Sequence, residues 1–562
     1  MNTSSRKLVL IAAATLIVFL AGFAMAQNGI YGVNEWPTTD IAYNMRILGY
    51  NAAQHRTFYM PTVAKQMWKG TTHYILYASE HVGTGTYLNP MNGLQEYNGT
   101  SIIDVTVPTN PVYIKHLPSP YLPPNNEGRH VRICAGSDLP GALYPGQYFM
   151  VRSDGQKAHA VWNVTDPSNP VFINNISGNG LSYTHKESWD CTSGYILTPQ
   201  NSTTWKSGDG SGTGTCVTGG CDFAIYDMHD PYNPKYVTDY GLVGQAPGST
   251  VTPIPNMIHE AVIYTDPTYG TRIYGAYGIS VGGDGWLQVA DMSKILTYVA
   301  ANGPINSDAG IQATQISALK MSYEFGMHTF WPWLHIPMAD YSENGNASAA
   351  NAAAGIPTAL QNLNPMVQNF GLATVEGTNN GCVGYTAMGF VIDLNYPSMP
   401  QAVANMHVPK HLVNNTTPFA GGGVQTIDFC DINNGNGRFG SHGVSEDLSA
   451  YAGQAKNWGN NPFFHRFNAI AWFGGGVHIW DLRDPFTPQD VAYYVPAANG
   501  YTEQNCATRG GAQHCTNMIG TNNAATDDRG FVYIVDRYGT GTWVLQVTGA
   551  PATALYSGLA TE

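Results

Sequence analysis

One short pattern recurs along the chain and limits the folds that are open to it. A run of β-branched or aromatic residues ends in Asp or Asn, a Pro-bounded turn follows, and a second apolar run begins. The fullest copy is 477–488, and clear copies stand at 103–114, 162–173 and 226–234. This pattern is typical of a strand, a tight turn and a return strand, because Asp-Pro favours a turn and the second Pro can begin a strand where no ladder donor is needed.

Weaker copies bring the number of repeats to seven. We call the residue at the Asp or Asn position of each repeat its anchor, and the seven anchors are Asp104, Asn163, Asp227, Asp291, Asp393, Asp481 and Gln546. A four-stranded propeller blade needs about 40 to 50 residues, and the anchors are roughly 60 apart with two longer gaps, so the remainder goes into loops. The Ala/Asn-rich stretch 344–363 in one long gap predicts a short helix with flexible flanks.

We therefore predict an all-β fold, a single seven-bladed β-propeller with loop insertions over residues 27–562. A pair of two-sheet sandwiches or a β-helix is the alternative, although neither accounts for spaced copies of one hairpin. The segment 469–481, AIAWFGGGVHIWD, and its echo at 539–547 resemble LVIVD repeats, which are found in exported bacterial and archaeal propeller proteins. The resemblance extends over nearly the whole mature chain and implies the fold, but it does not imply an activity.

The N-terminus has the pattern of a secretory signal peptide over residues 1–26. Arg6 and Lys7 precede an apolar stretch, and Ala24-Met25-Ala26 forms a small-residue cleavage site. An uncleaved membrane anchor is the alternative, although the apolar run is short for a span of about 20 residues. We expect an extracytoplasmic protein, periplasmic or secreted to the cell surface, with no stable membrane span after cleavage.

The composition of the chain limits the partners and cofactors that we expect, and it predicts disulfides. Only 11% of residues are charged and the net charge is −13, which disfavours a nucleic-acid partner because such binding needs Lys and Arg. Gly-rich runs lack the Lys-Ser/Thr ending of a phosphate loop, so no nucleotide cofactor is expected. In an oxidising compartment the eight cysteines predict disulfides. Close spacing favours pairs 216/221 and 506/515, whereas Cys134, Cys191, Cys382 and Cys430 could pair across blades in several ways.

Histidine placement is the most informative chemical feature. One His precedes each anchor, at the predicted start of the first strand of a blade: His55, His130, His185, His259, His328, His442 and His514. The innermost strand of every blade lines the channel of a propeller, so these residues would form a ring. Neighbours in a strand point to opposite faces, so Glu187 should share the face of His185 while Glu260 should not share that of His259. We therefore add Glu187 to the predicted metal ligands.

Neutral imidazole is a common ligand of copper, iron and zinc. The leading hypothesis is a histidine-lined central metal site that oxidises or captures a small molecule, which would make the protein a metal-dependent oxidoreductase. Two other roles stay open for the histidines, namely hydrogen bonds to backbone carbonyls of neighbouring blades without any metal, or acid/base catalysis. Two other functions also stay open: a non-catalytic recognition or adhesion propeller that binds a cell-surface polymer or protein, and a structural surface or filament subunit.

Overall fold

A computed structural model describes most of the chain after the predicted signal peptide. The described residues are 40–83, 85–122, 126–155, 157–176, 184–200, 204–207, 221–278, 284–322, 325–337, 367–377, 387–408, 411–412, 427–428, 438–446, 461–464, 466–509, 512–517 and 519–557. The predicted signal peptide and the predicted helix within 344–363 lie outside these residues.

Seven four-stranded antiparallel sheets make up the fold, which confirms the predicted seven-bladed β-propeller. We number the blades by the chain order of their inner strands. The first five blades are each built from one continuous stretch of chain. From the channel outward, their strands are Phe58–Trp68, Thr71–Glu80, Gly99–Asp104 and Val112–Pro118 in blade 1; Val131–Ala135, Tyr148–Asp154, Ala158–Asn163 and Val171–Ile176 in blade 2; Ser188–Trp189, Tyr195–Gln200, Asp222–Asp227 and Lys235–Tyr240 in blade 3; Ile258–Asp266, Gly270–Tyr277, Trp286–Asp291 and Gln315–Lys320 in blade 4; and Thr329–Pro337, Val367–Thr374, Gly389–Asp393 and Gln401–Met406 in blade 5.

Blades 6 and 7 join the two ends of the chain. Near the N-terminus, Ile41–Tyr43 adds the outermost strand to blade 6 and Met45–Asn51 adds that of blade 7. The other strands are Phe467–Ala471, Val477–Asp481 and Gln489–Val495 in blade 6, and Thr521–Thr526, Phe531–Asp536 and Thr542–Val547 in blade 7. Residues 441–446 pair with the channel side of blade 6 through hydrogen bonds between His442 N and Ala471 O and between Ser445 N and Ala469 O. Because early and late segments share two sheets, the ring is closed by main-chain hydrogen bonds.

The repeated Asp or Asn has a local structural role. In blades 1 to 5 it ends the third strand and in blade 6 it ends the second of the four strands, and its Oδ1 accepts a hydrogen bond from the backbone N–H two residues further on, at 2.7–3.1 Å. This bond starts the turn to the next strand, or in blade 4 caps the helix that precedes that strand, as short polar side chains do. The acceptors are Asp104, Asn163, Asp227, Asp291, Asp393 and Asp481. These six anchors of the sequence repeat are therefore turn-forming or capping residues. The seventh anchor, Gln546, lies in the third strand of blade 7, and the fourth strand of that blade comes from the N-terminal segment, so no such turn follows it.

Insertions account for the extra length between blades. In blade 4, Asp291 caps a helix over Met292–Asn302, a second helix spans Asp308–Thr314, and the chain then returns to the sheet. Other helical segments are Ala53–His55 (3-10) and Gly549–Leu555. Two-stranded hairpins lie outside the blades: Tyr87–Asn89 with Leu94–Glu96, His411–Leu412 with Ile427–Asp428, and Gln504–Arg509 with Ala512–Asn517.

A disulfide joins Cys134 of blade 2 to Cys191 of blade 3, and both residues are fully buried in the core between these blades. Cys221 and Cys515 are also disulfide-bonded, and Cys515 lies directly opposite Cys506 in its hairpin. The predicted disulfides are thus confirmed for the described cysteines, none of which is free. Within the described residues, no helix has the length and apolar character to cross a bilayer.

Candidate metal site at the channel mouth

The antiparallel order of the strands places two sets of residues at one mouth of the channel. The first strand of a blade begins at this mouth and the second strand ends there. His328 directly precedes the first strand of blade 5, while Glu376 follows the second strand of the same blade by two residues. In blades 1 and 7, His81 and Arg537 directly follow the second strands. Side chains that are far apart in the sequence therefore meet here.

Four of the predicted histidines form a continuous row across blades 3 to 6. His185 Nε2 lies 2.8 Å from His259 Nε2. The ring centroids of His259 and His328 are 3.9 Å apart, and those of His328 and His442 are 4.2 Å apart. All four side chains are buried, with at most 5% of their surface exposed. We call these four residues the histidine row.

Hydrogen bonds orient two of these rings. His259 Nδ1 lies 2.9 Å from the carbonyl oxygen of His328, and His442 Nδ1 lies 2.6 Å from that of Asn522. A carbonyl oxygen can only accept, so both Nδ1 atoms carry the proton and both Nε2 atoms keep a lone pair. This arrangement is typical of metal-ligating histidines, whose second nitrogen is fixed by a backbone carbonyl or a carboxylate.

His185 has the opposite tautomer. Its Nδ1 lies 3.0 Å from Nη1 of Arg129, and an arginine can only donate. The proton of the neutral His185 ring is therefore on Nε2, which donates to His259 Nε2. His185 thus supports the row as a hydrogen-bond donor to His259 Nε2, and His442 presents an acceptor nitrogen. An ion bound at His259 Nε2 would replace the hydrogen bond from His185.

Glu376 completes the group. One ligand atom each of His259, His328 and Glu376 lie within 4.8 Å of one another, a spacing that could hold a metal ion. Glu376 Oε2 is 3.8 Å from His328 Nε2, and Glu376 Oε1 is 3.9 Å from His442 Nε2. His328 Nε2 makes no hydrogen bond within the described part of the chain although it is fully buried. Arg438 donates to Glu376 Oε1 at 2.7 Å and holds the carboxylate in place.

Burial keeps the row neutral. It lowers the pKa of His259 to about 3, with a further contribution from the charge of Lys186. It also lowers the pKa values of His185, His328 and His442 well below the ordinary value, and the neighbouring histidines or Lys186 add to the effect. At neutral pH the rings are therefore unprotonated bases, which is the form that binds metals.

The remaining predicted ligands lie elsewhere. His55 belongs to the 3-10 helix before blade 1 and stacks on Tyr501 at 3.8 Å. His514 belongs to the hairpin strand Ala512–Asn517 rather than to the first strand of blade 7, and its side chain is outside the described residues. The predicted position of His514 was wrong because the inserted hairpin lies just before that strand. Tyr59 of blade 1 packs on His185 and His442 instead.

A second group, which we call the carboxylate cluster, contains the other two predicted ligands. His130 Nδ1 is 3.6 Å from Glu187 Oε1, and His159 Nδ1 is 3.3 Å from Glu187 Oε2. Glu187 thus contacts these histidines of blade 2 and not the histidine row. The cluster consists of His130, His159, Glu187, Glu260, Glu446, Lys186 and Arg132.

Strand alternation failed at His259. The pairing register shifts between Ile258 and Glu260, so His259 is the extra residue of a β-bulge. A bulge lets two successive side chains point to the same side of a sheet. Glu260 therefore also faces the channel, where it accepts a hydrogen bond from Lys186 at 2.9 Å. The expectation that Glu260 points away from the face of His259 was wrong for this reason.

Sequence reasoning did not assign Glu376, Arg438, Arg537 or Tyr59 to the site. A positional signal was present for two of them. Glu376 and Arg537 follow a second strand by one or two residues, as His81 does in blade 1. A search of the sequence for polar residues at this point in every repeat would have found all three.

Sequence comparison identifies no relative, since neither a protein-family model nor a curated protein matches the chain. The LVIVD resemblance therefore stays a prediction. Among solved structures, the chain is similar to a hypothetical selenium-binding protein from Sulfolobus tokodaii, with 13% identity, a TM-score of 0.43, and coverage of 80% of this chain and 81% of that one. It is also similar to hydrazine synthase of Kuenenia stuttgartiensis, with 9% identity, a TM-score of 0.40, and coverage of 85% of this chain and 92% of that one. A third similar structure is the periplasmic gluconolactonase of Pseudomonas aeruginosa, with 9% identity, a TM-score of 0.37, and coverage of 87% of this chain and 96% of that one. Similarity at this level carries no argument about activity.

Proposed function

We propose that this protein is an extracytoplasmic metalloprotein that binds one transition-metal ion at the channel mouth and uses it to oxidise or capture a small molecule. The ligands in this proposal are His259, His328, His442 and Glu376. The observation that carries it is the convergence of ring nitrogens and a carboxylate within a few ångströms, where His328 Nε2 is buried without a hydrogen bond. A buried polar atom without a partner is costly unless something else satisfies it.

The donor set limits the ion. Imidazole nitrogen with one carboxylate oxygen suits zinc, copper or iron better than magnesium or calcium, which prefer oxygen ligands alone. Such an ion would supply Lewis acidity, or a redox centre in the case of copper or iron. The disulfide between Cys134 and Cys191 supports the extracytoplasmic part of the proposal, because disulfides are rare in reducing compartments.

The deciding experiment is elemental analysis of mature protein purified without a His-tag or chelator. We expect about one copper, iron or zinc ion per chain, because the donor set forms one such site. The double variant H259A/H328A should lose this ion. The matched control is H73A/H229A, which removes two histidines that lie outside the histidine row and pair with Asp104 and Asp227 on the partly exposed blade edges.

Metal retained in H259A/H328A would rule out this ligand set. Absence of metal, even after incubation with each ion, would favour the recognition propeller, in which the hydrogen bond between His185 and His259 only braces the channel.

A further inference from the structure

Three arginines surround the proposed metal site, and their charges are not balanced in the same way. Arg129 donates to Glu127 at 2.6 Å and Arg438 donates to Glu376 at 2.7 Å, so each has a carboxylate partner. Within the described residues, no carboxylate lies within ion-pairing distance of Arg537. The carboxylate that acts on its pKa, Glu376, is already bonded to Arg438.

Arg537 is held close to the histidine row by neutral groups. Its Nη1 donates to Asn522 Oδ1 at 2.9 Å, and its Nη2 lies 2.9 Å from His81 Nε2. The main-chain oxygen of Asn522 accepts the proton of His442 Nδ1, and the ring of His81 stacks on Tyr59 with centroids 5.7 Å apart. One residue therefore separates the guanidinium from a proposed metal ligand.

The guanidinium of Arg537 stays charged and has N–H donors that these contacts do not use. Burial and the neighbouring Arg438 lower its pKa to about 10, which leaves it cationic at neutral pH. Arg537 is partly exposed, so solvent reaches its side chain. Arginine has five N–H donors, of which these two contacts use two.

We propose that the small molecule taken by this site carries a carboxylate group, and that Arg537 binds this group next to the metal ion. Two arginine–glutamate pairs cancel and the histidine row is neutral, so Arg537 adds one uncompensated positive charge to that of the bound ion. The planar fork of its guanidinium can bind both oxygens of a carboxylate, and competition with phosphate decides between these two anions. The presence of a metal ion beside this carboxylate rests on the proposed function, whereas the contact between Arg537 and the carboxylate does not.

Acetate and its neutral isostere acetamide test this inference. Protein loaded with Co²⁺, whose cobalt content is measured first, should enhance the proton relaxation of the acetate methyl group in a saturable way and leave acetamide nearly unaffected. R537Q should raise the dissociation constant of acetate roughly 10- to 100-fold, since hydrogen bonds between charged groups are the strong ones. R537K keeps the charge without the fork and should fall between wild type and R537Q, which also guards against a folding defect in R537Q.

The control R46Q makes the same change in charge at an exposed arginine whose side chain is bonded to Gln546. It should bind acetate as the wild type does. With cobalt bound, equal relaxation of acetate and acetamide would overturn the inference, as would an unchanged affinity in R537Q. Displacement of acetate by inorganic phosphate at lower concentration would also overturn it in favour of a phosphate ligand.

Failure of the metal proposal gives a different result. If the protein takes up no cobalt, acetate binding is measured on the metal-free protein by saturation-transfer NMR. Binding to wild type and R46Q but not to R537Q would support the arginine contact by itself. Absence of acetate binding to metal-free wild type as well would reject both proposals.

Discussion

The histidine row and the carboxylate cluster are neighbours in the channel. The row together with Glu376 brings three potential metal ligands within 4.8 Å of one another, and so does the cluster. Their charges are arranged differently. In the carboxylate cluster, Lys186 donates to Glu260 at 2.9 Å and Arg132 donates to Glu446 through a very short contact. The protein's own cations thus occupy the places next to these carboxylates. In the histidine row the ligands are neutral rings, and among the described residues Arg438 is the only arginine or lysine bonded to the adjacent Glu376.

This difference teaches that proximity of ligands does not define a metal site. A buried carboxylate must be paired, and either a side chain or an ion can pair with it. Although burial opposes ionisation, Lys186 and its neighbours lower the pKa of Glu260 to about 2, so this pair is ionic without a metal. We therefore assign a structural role to the carboxylate cluster and the metal to the histidine row.

The largest expected effect comes from removing the internal cation of the carboxylate cluster. K186M should destabilise the protein by about 3–5 kcal/mol, because it leaves Glu260 charged and unpaired in a buried site. The double variant K186M/E260Q should recover much of this loss. Denaturant unfolding of metal-free protein measures both. The control is K65M, whose pair with Asp528 is partly exposed and should contribute less than about 1 kcal/mol. An equal effect of K186M and K65M would contradict the structural role of the cluster.

Much of the fold was predictable because its signal is local. Asp104 and its equivalents start turns through their own side chains, so the turn is encoded in a few consecutive residues of each repeat. The histidine row was predictable for the same reason, since His185, His259, His328 and His442 occupy similar sequence positions. Glu376 and Arg537 come from the ends of other strands, and only the pairing of strands brings them to the same mouth.

Local reasoning failed where one residue changes the geometry. The bulge at His259 reverses the alternation on which the orientation of Glu260 was predicted. The hairpin that contains His514 separates it from the blade to which it was assigned. Neither feature has a distinct signal in the sequence, because a bulge and an insertion both depend on the partner strand.

The second prediction uses pH to separate the two clusters. Burial and Arg132 lower the pKa of His130 to about 4, and burial and Lys186 lower that of His259 to about 3. Both values lie below the pKa of about 6.5 in the unfolded chain, so the unfolded state binds more protons as the pH falls. Stability is then highest above pH 6.5 and decreases toward pH 4, with each histidine contributing a slope of about 1.4 kcal/mol per pH unit.

Metal should leave this slope nearly unchanged, because His259 of the folded protein already carries no proton between pH 7 and pH 4.5. The ion should instead raise the unfolding free energy by a similar amount across this range. H130Q should remove the contribution of one histidine to the slope in both forms and keep the stabilisation by metal. Unfolding free energies between pH 7 and pH 4.5 measure both effects. If H130Q abolished the stabilisation by metal, the ion would bind at the carboxylate cluster and not at the histidine row.

The smallest expected effect comes from replacing one carboxylate oxygen in each cluster by an amide nitrogen. E376Q should weaken metal binding roughly 10- to 100-fold, because an amide oxygen is a poorer ligand than a carboxylate and no longer pairs with Arg438 as a charge. E446Q makes the same substitution at a carboxylate that already pairs with Arg132, so it should leave metal affinity unchanged. Competition with a chromophoric chelator measures both affinities. A loss in E446Q with no loss in E376Q would exchange the assignments, since the ion would then lie among His130, Glu260 and Glu446 despite the cations already paired there.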